Sequence, residues 1–256
     1  MDPPEPGPGP EPPATPLLAT DPEATLAPGG RLAGRARAPG VGQSSCPMNF
    51  HFEALGAGQR RVLQRLGEVL RRQNFYLAGG TAVALYLGHR RSQDLDWFTS
   101  EEFSDPLGLA ELLGQHGIQF QTGRIEAGTL HGTISRVRVS FLSYRYSLLK
   151  PLQKWPQFEC GIASLEDLTA MKLAAIAQRG SKRDFVDIYA LNRKSFPFAE
   201  MLRLYQRKYS ISDIGHVLVG LAYFDDANRE RMPRMLWQAD WETIRRTLQK
   251  RLDELV

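Results

Sequence analysis

Cysteine is scarce in this chain of 256 residues, which contains only Cys46 and Cys160. Two cysteines cannot build a disulfide framework or a zinc cluster, and such scarcity is typical of a reducing compartment. Long apolar stretches are also missing, since no run approaches the roughly eighteen residues that a transmembrane helix needs. The N-terminus lacks the basic start and apolar stretch of a secretory signal. These absences predict a cytoplasmic protein with no membrane span.

Aromatic residues are absent from positions 1–47, which instead hold 12 of the 17 prolines. Such a segment buries too little apolar surface to offset the entropy of ordering it, so we predict a disordered tail. Met48 is an alternative native start, and a Pro-rich tail that docks on a partner is the other interpretation. The tail carries a net charge of −2, which leaves +6 for residues 48–256. This modest basic excess suits nucleotide or RNA ligands.

Hydrophobic periodicity divides the rest of the chain into a mixed part and a helical part. Residues 58–73 show an amphipathic helical pattern, and short strand-like runs follow between turns. Beyond Pro151 the pattern is helical to the end, with a capping box that begins at Ser164. We therefore predict an α+β fold, with a small mixed sheet flanked by helices over 48–150. A helical region over 151–256 follows and completes the functional site.

A strand, a glycine turn, a short helix and a second strand follow one another between Phe75 and Phe98. Asp94 and Asp96 are two residues apart in the second strand, so their carboxylates share one face. Neighbouring carboxylates repel each other unless a cation lies between them, which makes both acids candidate metal ligands. The turn Gly79-Gly80-Thr81 can present backbone N–H groups and a hydroxyl to an anion. Each feature alone is more often structural, but their combination predicts a metal–triphosphate site.

These segments resemble the AbiEii/AbiGii toxin family in content and in order. The similar stretches are Gly79–Leu85 with Gly88–Asp96, Ser164–Leu168, Met171–Ile176 and Arg179–Tyr189. The resemblance covers roughly residues 50–195. It implies a nucleotidyltransferase with the fold of the DNA polymerase β superfamily.

Such an enzyme transfers a nucleoside monophosphate from a nucleoside triphosphate (NTP) to an acceptor, and uses Mg²⁺ or Mn²⁺. Asp94 and Asp96 are our predicted metal ligands. Arg90 and Arg91 stand just before these acids, where they either contact phosphate or merely relieve the repulsion between the carboxylates. His89 is a further candidate for a hydrogen bond to phosphate.

Two downstream helices carry the remaining candidates. Lys172 interrupts an apolar helix face, and its ammonium either extends to the surface or, as the resemblance implies, faces phosphate. Arg179 lies seven residues later on the same face and could assist it. Asp184 and Asp187 share a face of the next helix. One of them would orient Lys172 or act as a base for the incoming hydroxyl; the alternative is an acid that stabilises the helix N-terminus.

One position departs from the pattern of the superfamily, whose members usually carry a third metal-binding carboxylate on the neighbouring strand. Ser140 takes that place here, on a face shared with Arg136 and Arg138. Serine coordinates a divalent ion far more weakly than a carboxylate does. Either water or another acid (Glu126 or Asp187) completes the shell, or the site binds one metal and works slowly, or it binds nucleotide without catalysis.

The resemblance implies the toxin of an AbiE-type toxin–antitoxin or phage-defence system. Its implied acceptor is RNA, with tRNA ends among the substrates of the family, and its implied partner is a cognate antitoxin. A catalytically inactive NTP-binding or protein-interaction module on the same fold is the alternative. A nucleotidyltransferase that modifies a small molecule is a third interpretation.

Overall fold

The computed structural model describes residues 50–255. The predicted tail over residues 1–47 lies outside this part of the chain.

A mixed sheet runs through the centre of the described residues. Its seven strands are β1 (Tyr76–Ala78), β2 (Asp94–Thr99), β3 (Phe120–Glu126), β4 (Thr129–Ile134), β5 (Val137–Ser143), β6 (Gln153–Trp155) and β7 (Cys160–Ile162). They lie in the order β3-β4-β5-β2-β1-β7-β6. β2 pairs parallel with β5 and β1 pairs parallel with β7, whereas the other neighbours are antiparallel. The predicted α+β class with a mixed sheet is therefore confirmed.

Helices flank the sheet and form the C-terminal half of the described chain. They are α1 (Ala57–Arg72), α2 (Gly79–Leu87), α3 (Pro106–Gln115), α4 (Leu165–Gln178), α5 (Lys182–Lys194), α6 (Phe198–Tyr209), α7 (Gly215–Ala222), α8 (Asp225–Arg229) and α9 (Trp241–Asp253), with short 3₁₀ turns at Phe52–Ala54 and Pro156–Phe158. The predicted cap of α4 is confirmed, because the Ser164 hydroxyl accepts a hydrogen bond from the Asp167 N–H at 3.0 Å. None of the described helices combines the length and the hydropathy that a bilayer span requires.

Two strands lie in the segment after Pro151, where the sequence pattern predicts helix only. β6 and β7 pair with each other, and β7 joins the sheet beside β1. Each has three residues, which is too short for the alternation that marks a strand in the sequence. The helical half thus begins at α4, and the division of the domains at residue 150 stays a prediction.

β2 occupies a central position, between β1 and β5, and it carries the two acids. Leu95 and Trp97 are fully buried, whereas Asp94 and Asp96 are only partly buried on the opposite face. The predicted alternation is confirmed. α2 follows β1 directly, and α4 and α5 both pack against α2. The acids, the glycine turn and the two downstream helices therefore meet in one place.

Candidate active site

Asp94 is held by two arginines. Its Oδ1 accepts a hydrogen bond from Arg138 Nε at 2.7 Å, and its Oδ2 accepts one from Arg183 Nη1 at 3.2 Å. The side chains of Arg138 and Arg183 are 63% and 50% exposed, so solvent screens both pairs and each contributes little to stability. These guanidinium groups can therefore leave Asp94 at small cost when another cation approaches it.

Asp96 lies directly beside the glycine turn. Burial raises the pKa of Asp96, and the charge of Asp94 raises it further, while Lys172 and a hydrogen bond from the Ser140 hydroxyl oppose the rise. A cation bound between the two carboxylates would favour the ionised form of both.

The donors at this place fit a divalent ion that retains water. Among the described residues no group of three or more His, Cys, Asp or Glu side chains could hold a metal. Glu126 lies on the edge strand β3, where it forms an ion pair with Arg124. Asp187 is already paired with Lys172. Asp94 and Asp96 remain, and two carboxylates suit Mg²⁺, which usually keeps several waters and binds one or two protein carboxylates together with substrate phosphates.

The glycine turn stands between the acids and the lysine. Gly79 has φ +67°, and a Cβ placed on it would lie 2.7 Å from Asp96 Oδ2. A Cβ on Gly80 would lie 3.4 Å from Lys172 Nζ and would also collide with Arg90. The helix begins at Gly79, so the glycine turn forms its first residues. Only glycine fits both the left-handed conformation and the close approach of Asp96.

The Thr81 hydroxyl makes hydrogen bonds inside the protein and does not face the surface of the site. This hydroxyl is buried, hydrogen-bonds with the Ser92 hydroxyl at 2.6 Å, and donates to the backbone carbonyl of Asp94. This arrangement ties the start of α2 to the start of β2. The predicted contact of the Thr81 hydroxyl with phosphate is therefore not favoured by the structure, whereas the backbone of the turn stays a candidate.

Lys172 does not reach the surface. Its Nζ lies 2.9 Å from Asp184 Oδ1 and 2.7 Å from Asp187 Oδ2, and the residue is 6% exposed. Burial lowers the pKa of Lys172, but the two carboxylates outweigh it and raise the pKa above its usual range. The ammonium is therefore charged, and it lies directly beside Gly80. Both acids orient Lys172, as one branch of the prediction states.

Asp187 is the centre of the buried network. It accepts hydrogen bonds from Arg90 Nε at 2.6 Å and Arg90 Nη2 at 2.8 Å, and its Oδ1 lies 2.7 Å from His89 Nε2. Burial raises the pKa of Asp187, yet Arg90, Lys172 and His89 outweigh burial and hold the pKa well below its usual range. Protein groups bond to both oxygens of this carboxylate, so neither oxygen is open to an incoming hydroxyl. A role of Asp187 as the base is therefore not favoured.

Arg90 and its neighbours take structural positions. The predicted phosphate contact of Arg90 is not favoured, because the residue is 3% exposed and Asp187 binds its guanidinium in bidentate fashion. His89 is fully buried, and burial lowers its pKa, so this imidazole is neutral and out of reach of a ligand. Arg91 is partly buried, and its backbone N–H donates to the Arg234 carbonyl at 2.8 Å, so the predicted phosphate contact of its side chain stays a prediction.

Asp184 links the network to an exposed cation. It accepts hydrogen bonds from Arg179 Nε at 2.9 Å and from the Ser181 hydroxyl at 2.7 Å. Burial raises the pKa of Asp184, but Lys172 and Arg179 outweigh burial and bring the pKa below its usual range. The side chain of Arg179 is 67% exposed, so part of its guanidinium faces solvent at the rim of the site. Arg179 and Lys172 thus converge on one carboxylate, as their helical spacing predicts.

Arg138, Arg183 and His89 contact the predicted site residues, and sequence reasoning assigned none of these contacts. Arg138 meets Asp94 because β5 and β2 pair in a register that places them opposite each other. Arg183 and His89 reach their partners only after the helices pack. The one local signal is the position of Arg183, directly before Asp184.

Comparison with known proteins gives a consistent assignment. Residues 61–146 and 110–256 match the family described as "Nucleotidyl transferase AbiEii toxin, Type IV TA system". The uncharacterized protein aq_aa25 of Aquifex aeolicus (strain VF5) is 33% identical over 201 residues, which cover 77% of this chain and 95% of that protein.

Two solved structures are also similar, at low sequence identity. MenT4, a nucleotidyltransferase toxin from Mycobacterium tuberculosis H37Rv, is 15% identical with a TM-score of 0.47, covering 79% of this chain and 83% of its own. JHP933 from Helicobacter pylori is 16% identical with a TM-score of 0.41, covering 80% of this chain and 94% of its own. The family match covers most of the chain and carries the assignment: this chain belongs to the AbiEii family of nucleotidyltransferase toxins.

Proposed function

We propose that this nucleotidyltransferase moves a nucleoside monophosphate from a magnesium-bound NTP to an RNA acceptor, with tRNA ends as the first candidates. The single observation that carries the proposal is the convergence of Asp94 and Asp96, the Gly79–Gly80 turn and the ammonium of Lys172 within one contiguous cluster. The body charge of +6 over residues 48–256 suits a polyanionic acceptor.

Each part of the cluster has a task in this reaction. Asp94 and Asp96 would hold the divalent ion, which when bound neutralises phosphate charge and activates the attacking hydroxyl. Backbone N–H groups at the start of α2 would bind the triphosphate. The acceptor oxygen attacks the α-phosphorus, and the bond to pyrophosphate breaks.

The buried network supplies positive charge to the leaving pyrophosphate. Three cations (Arg90, Lys172 and Arg179) face two carboxylates (Asp184 and Asp187), so the network keeps a net charge of about +1 beneath the turn. The carboxylates hold these cations in place before the substrate arrives. Such preorganised charge costs no rearrangement during the reaction.

The direct test uses the full chain, total RNA and each α-labelled NTP in turn. We expect labelled RNA with at least one NTP, a loss of labelling of more than about 100-fold with EDTA, and recovery with Mg²⁺ or Mn²⁺. Transfer of label to small acceptors instead of RNA would favour a small-molecule enzyme. Absence of transfer with every NTP and acceptor would contradict the proposal and favour a non-catalytic NTP-binding module.

We further propose that the chain acts in the cytoplasm as the toxin of an AbiE-type toxin–antitoxin or phage-defence system. Membership of a toxin family supports this role, and a cognate antitoxin is the expected partner. Controlled expression should arrest growth, and co-expression of the product of the neighbouring gene should relieve the arrest. Growth that is unaffected by an active chain would contradict the toxin role without affecting the proposed chemistry.

Replacement of Gly79 by alanine should reduce transfer by about 100-fold, because the new Cβ would displace Asp96 by roughly an ångström. The left-handed backbone at Gly79 adds a stability cost of about 1–2 kcal/mol. Labelling rates and thermal unfolding measure the two effects. Gly114→Ala is the matched control, since a Cβ there meets no atom within 4 Å. Equal transfer rates of the two variants would show that the turn does not shape the site.

A further inference from the structure

A chain of three polar side chains crosses the sheet at the place where the superfamily usually carries its third acid. Asp96 of β2 stands opposite Ser140 of β5, and Ser140 stands opposite His131 of β4. The register sets the Ser140 side chain beside Asp96, where it opposes the rise in the pKa of the carboxyl group, and His131 Nδ1 lies 3.0 Å from Ser140 Oγ. Because residues opposite each other in a sheet share a face, all three side chains lie on the face that carries the acids.

The direction of these hydrogen bonds follows from the chemistry of each group. An ionised Asp96 carboxylate can only accept a hydrogen bond, so the Ser140 hydroxyl beside it would be the donor. The Ser140 oxygen then accepts from His131, and Nδ1 must carry a hydrogen. One imidazole tautomer would therefore turn the hydroxyl hydrogen away from His131 and toward the Asp96 carboxylate.

We propose that Ser140 and His131 are positioning residues that take over the work of the missing third carboxylate by orienting Asp96 toward the divalent ion. The inference rests on the proposed function, since it assumes that Asp94 and Asp96 bind this ion. A carboxylate held by a hydrogen bond at one oxygen turns its other lone pairs toward the metal, and such outer partners commonly raise metal affinity by about 10–100-fold. Ser140 thus links Asp96 to His131, and the His131 imidazole fixes the orientation of the Ser140 hydroxyl.

The test measures Mn²⁺ binding to the full chain by electron paramagnetic resonance, with no nucleotide and no turnover. His131→Ala and Ser140→Ala should each weaken binding about 10-fold, and the double variant should be no weaker than either single variant. His131→Asn should retain the affinity of the unmodified chain, because the asparagine amide places an N–H near the position of Nδ1. His116→Ala and Ser100→Ala are the matched controls, as both residues are exposed and neither makes a side-chain hydrogen bond or ion pair with a residue of the site.

A second variant keeps the inference falsifiable if the alanine variants fold poorly. Ser140→Asp restores the third carboxylate, so it should bind Mn²⁺ more tightly than serine does, and in this background His131→Ala should have less than a twofold effect. Unchanged affinity of His131→Ala in a folded chain, or additive losses in the double variant, would overturn the inference. If Asp94→Asn with Asp96→Asn also leaves Mn²⁺ binding unchanged, the metal site itself, and with it the proposed function, fails.

Discussion

Replacement of Asp94 and Asp96 together by asparagine should abolish nucleotide transfer and leave the fold intact. The divalent ion contributes several kcal/mol of transition-state stabilisation in reactions of this kind, so its loss should lower the rate by about 10³-fold or more. The measurement is the initial rate of transfer from α-labelled NTP at saturating Mg²⁺.

The same double variant should not be destabilised. Asp94 loses only two exposed ion pairs, with Arg138 and Arg183, and each of these contributes little. Asp96 has a raised pKa, so its ionised form opposes folding, and a neutral amide removes that opposition. Thermal unfolding should therefore give a melting temperature at or above that of the unmodified chain.

Asp226→Asn is the matched control, because Asp226 is an exposed aspartate of α8 that makes no side-chain hydrogen bond or ion pair in the described residues. It should transfer at the unmodified rate. A double variant of Asp94 and Asp96 that keeps a tenth of the activity would show that the metal is held elsewhere. An unmodified chain that binds NTP but transfers nothing would favour the non-catalytic module.

Sequence reasoning predicts those features of the site that depend only on neighbouring residues in the chain. Asp94 and Asp96 share a face because a strand alternates with a period of two, and no tertiary information is needed to say so. Gly79 lies at a turn because a left-handed residue is required between β1 and α2. Lys172 stands out because it interrupts an apolar helix face, and the structure decides against a surface position by giving it two buried carboxylate partners.

The part that sequence reasoning misses depends on pairings between distant segments. Arg90 and Asp187 are 97 residues apart. Nothing near Arg90 in the sequence indicates that a buried carboxylate binds its guanidinium in bidentate fashion. The strands β6 and β7 are equally hidden, because three residues carry too little pattern and their place is set by β1. Ser140 is identified from its register relative to Asp96, whereas its second partner, His131, needs the pairing of β4 with β5.

Asp187→Asn should have the largest effect on stability of any substitution in the site, at about 3–5 kcal/mol. The carboxylate is fully buried and is the partner of Arg90, Lys172 and His89. A neutral amide leaves the guanidinium of Arg90 buried without a counter-charge, and such a charge cannot be resolvated inside the protein. Denaturant unfolding measures the loss, which corresponds to a fall in melting temperature of roughly 10 °C or more. Asp226→Asn again serves as the control and should stay within about 0.5 kcal/mol of the unmodified chain.

The pH dependence of the same variant distinguishes lost charge from lost packing. The folded-state pKa of Asp187 lies well below its usual value, so the stabilisation by the ionised carboxylate is present above pH about 4 and is lost as the pH falls through the depressed pKa. The difference in unfolding free energy between the unmodified chain and Asp187→Asn should therefore be constant from pH 7 to about 5 and shrink at lower pH. A difference that stays constant down to pH about 2 would mean that the asparagine acts through shape alone, and the network would then not be held by charge.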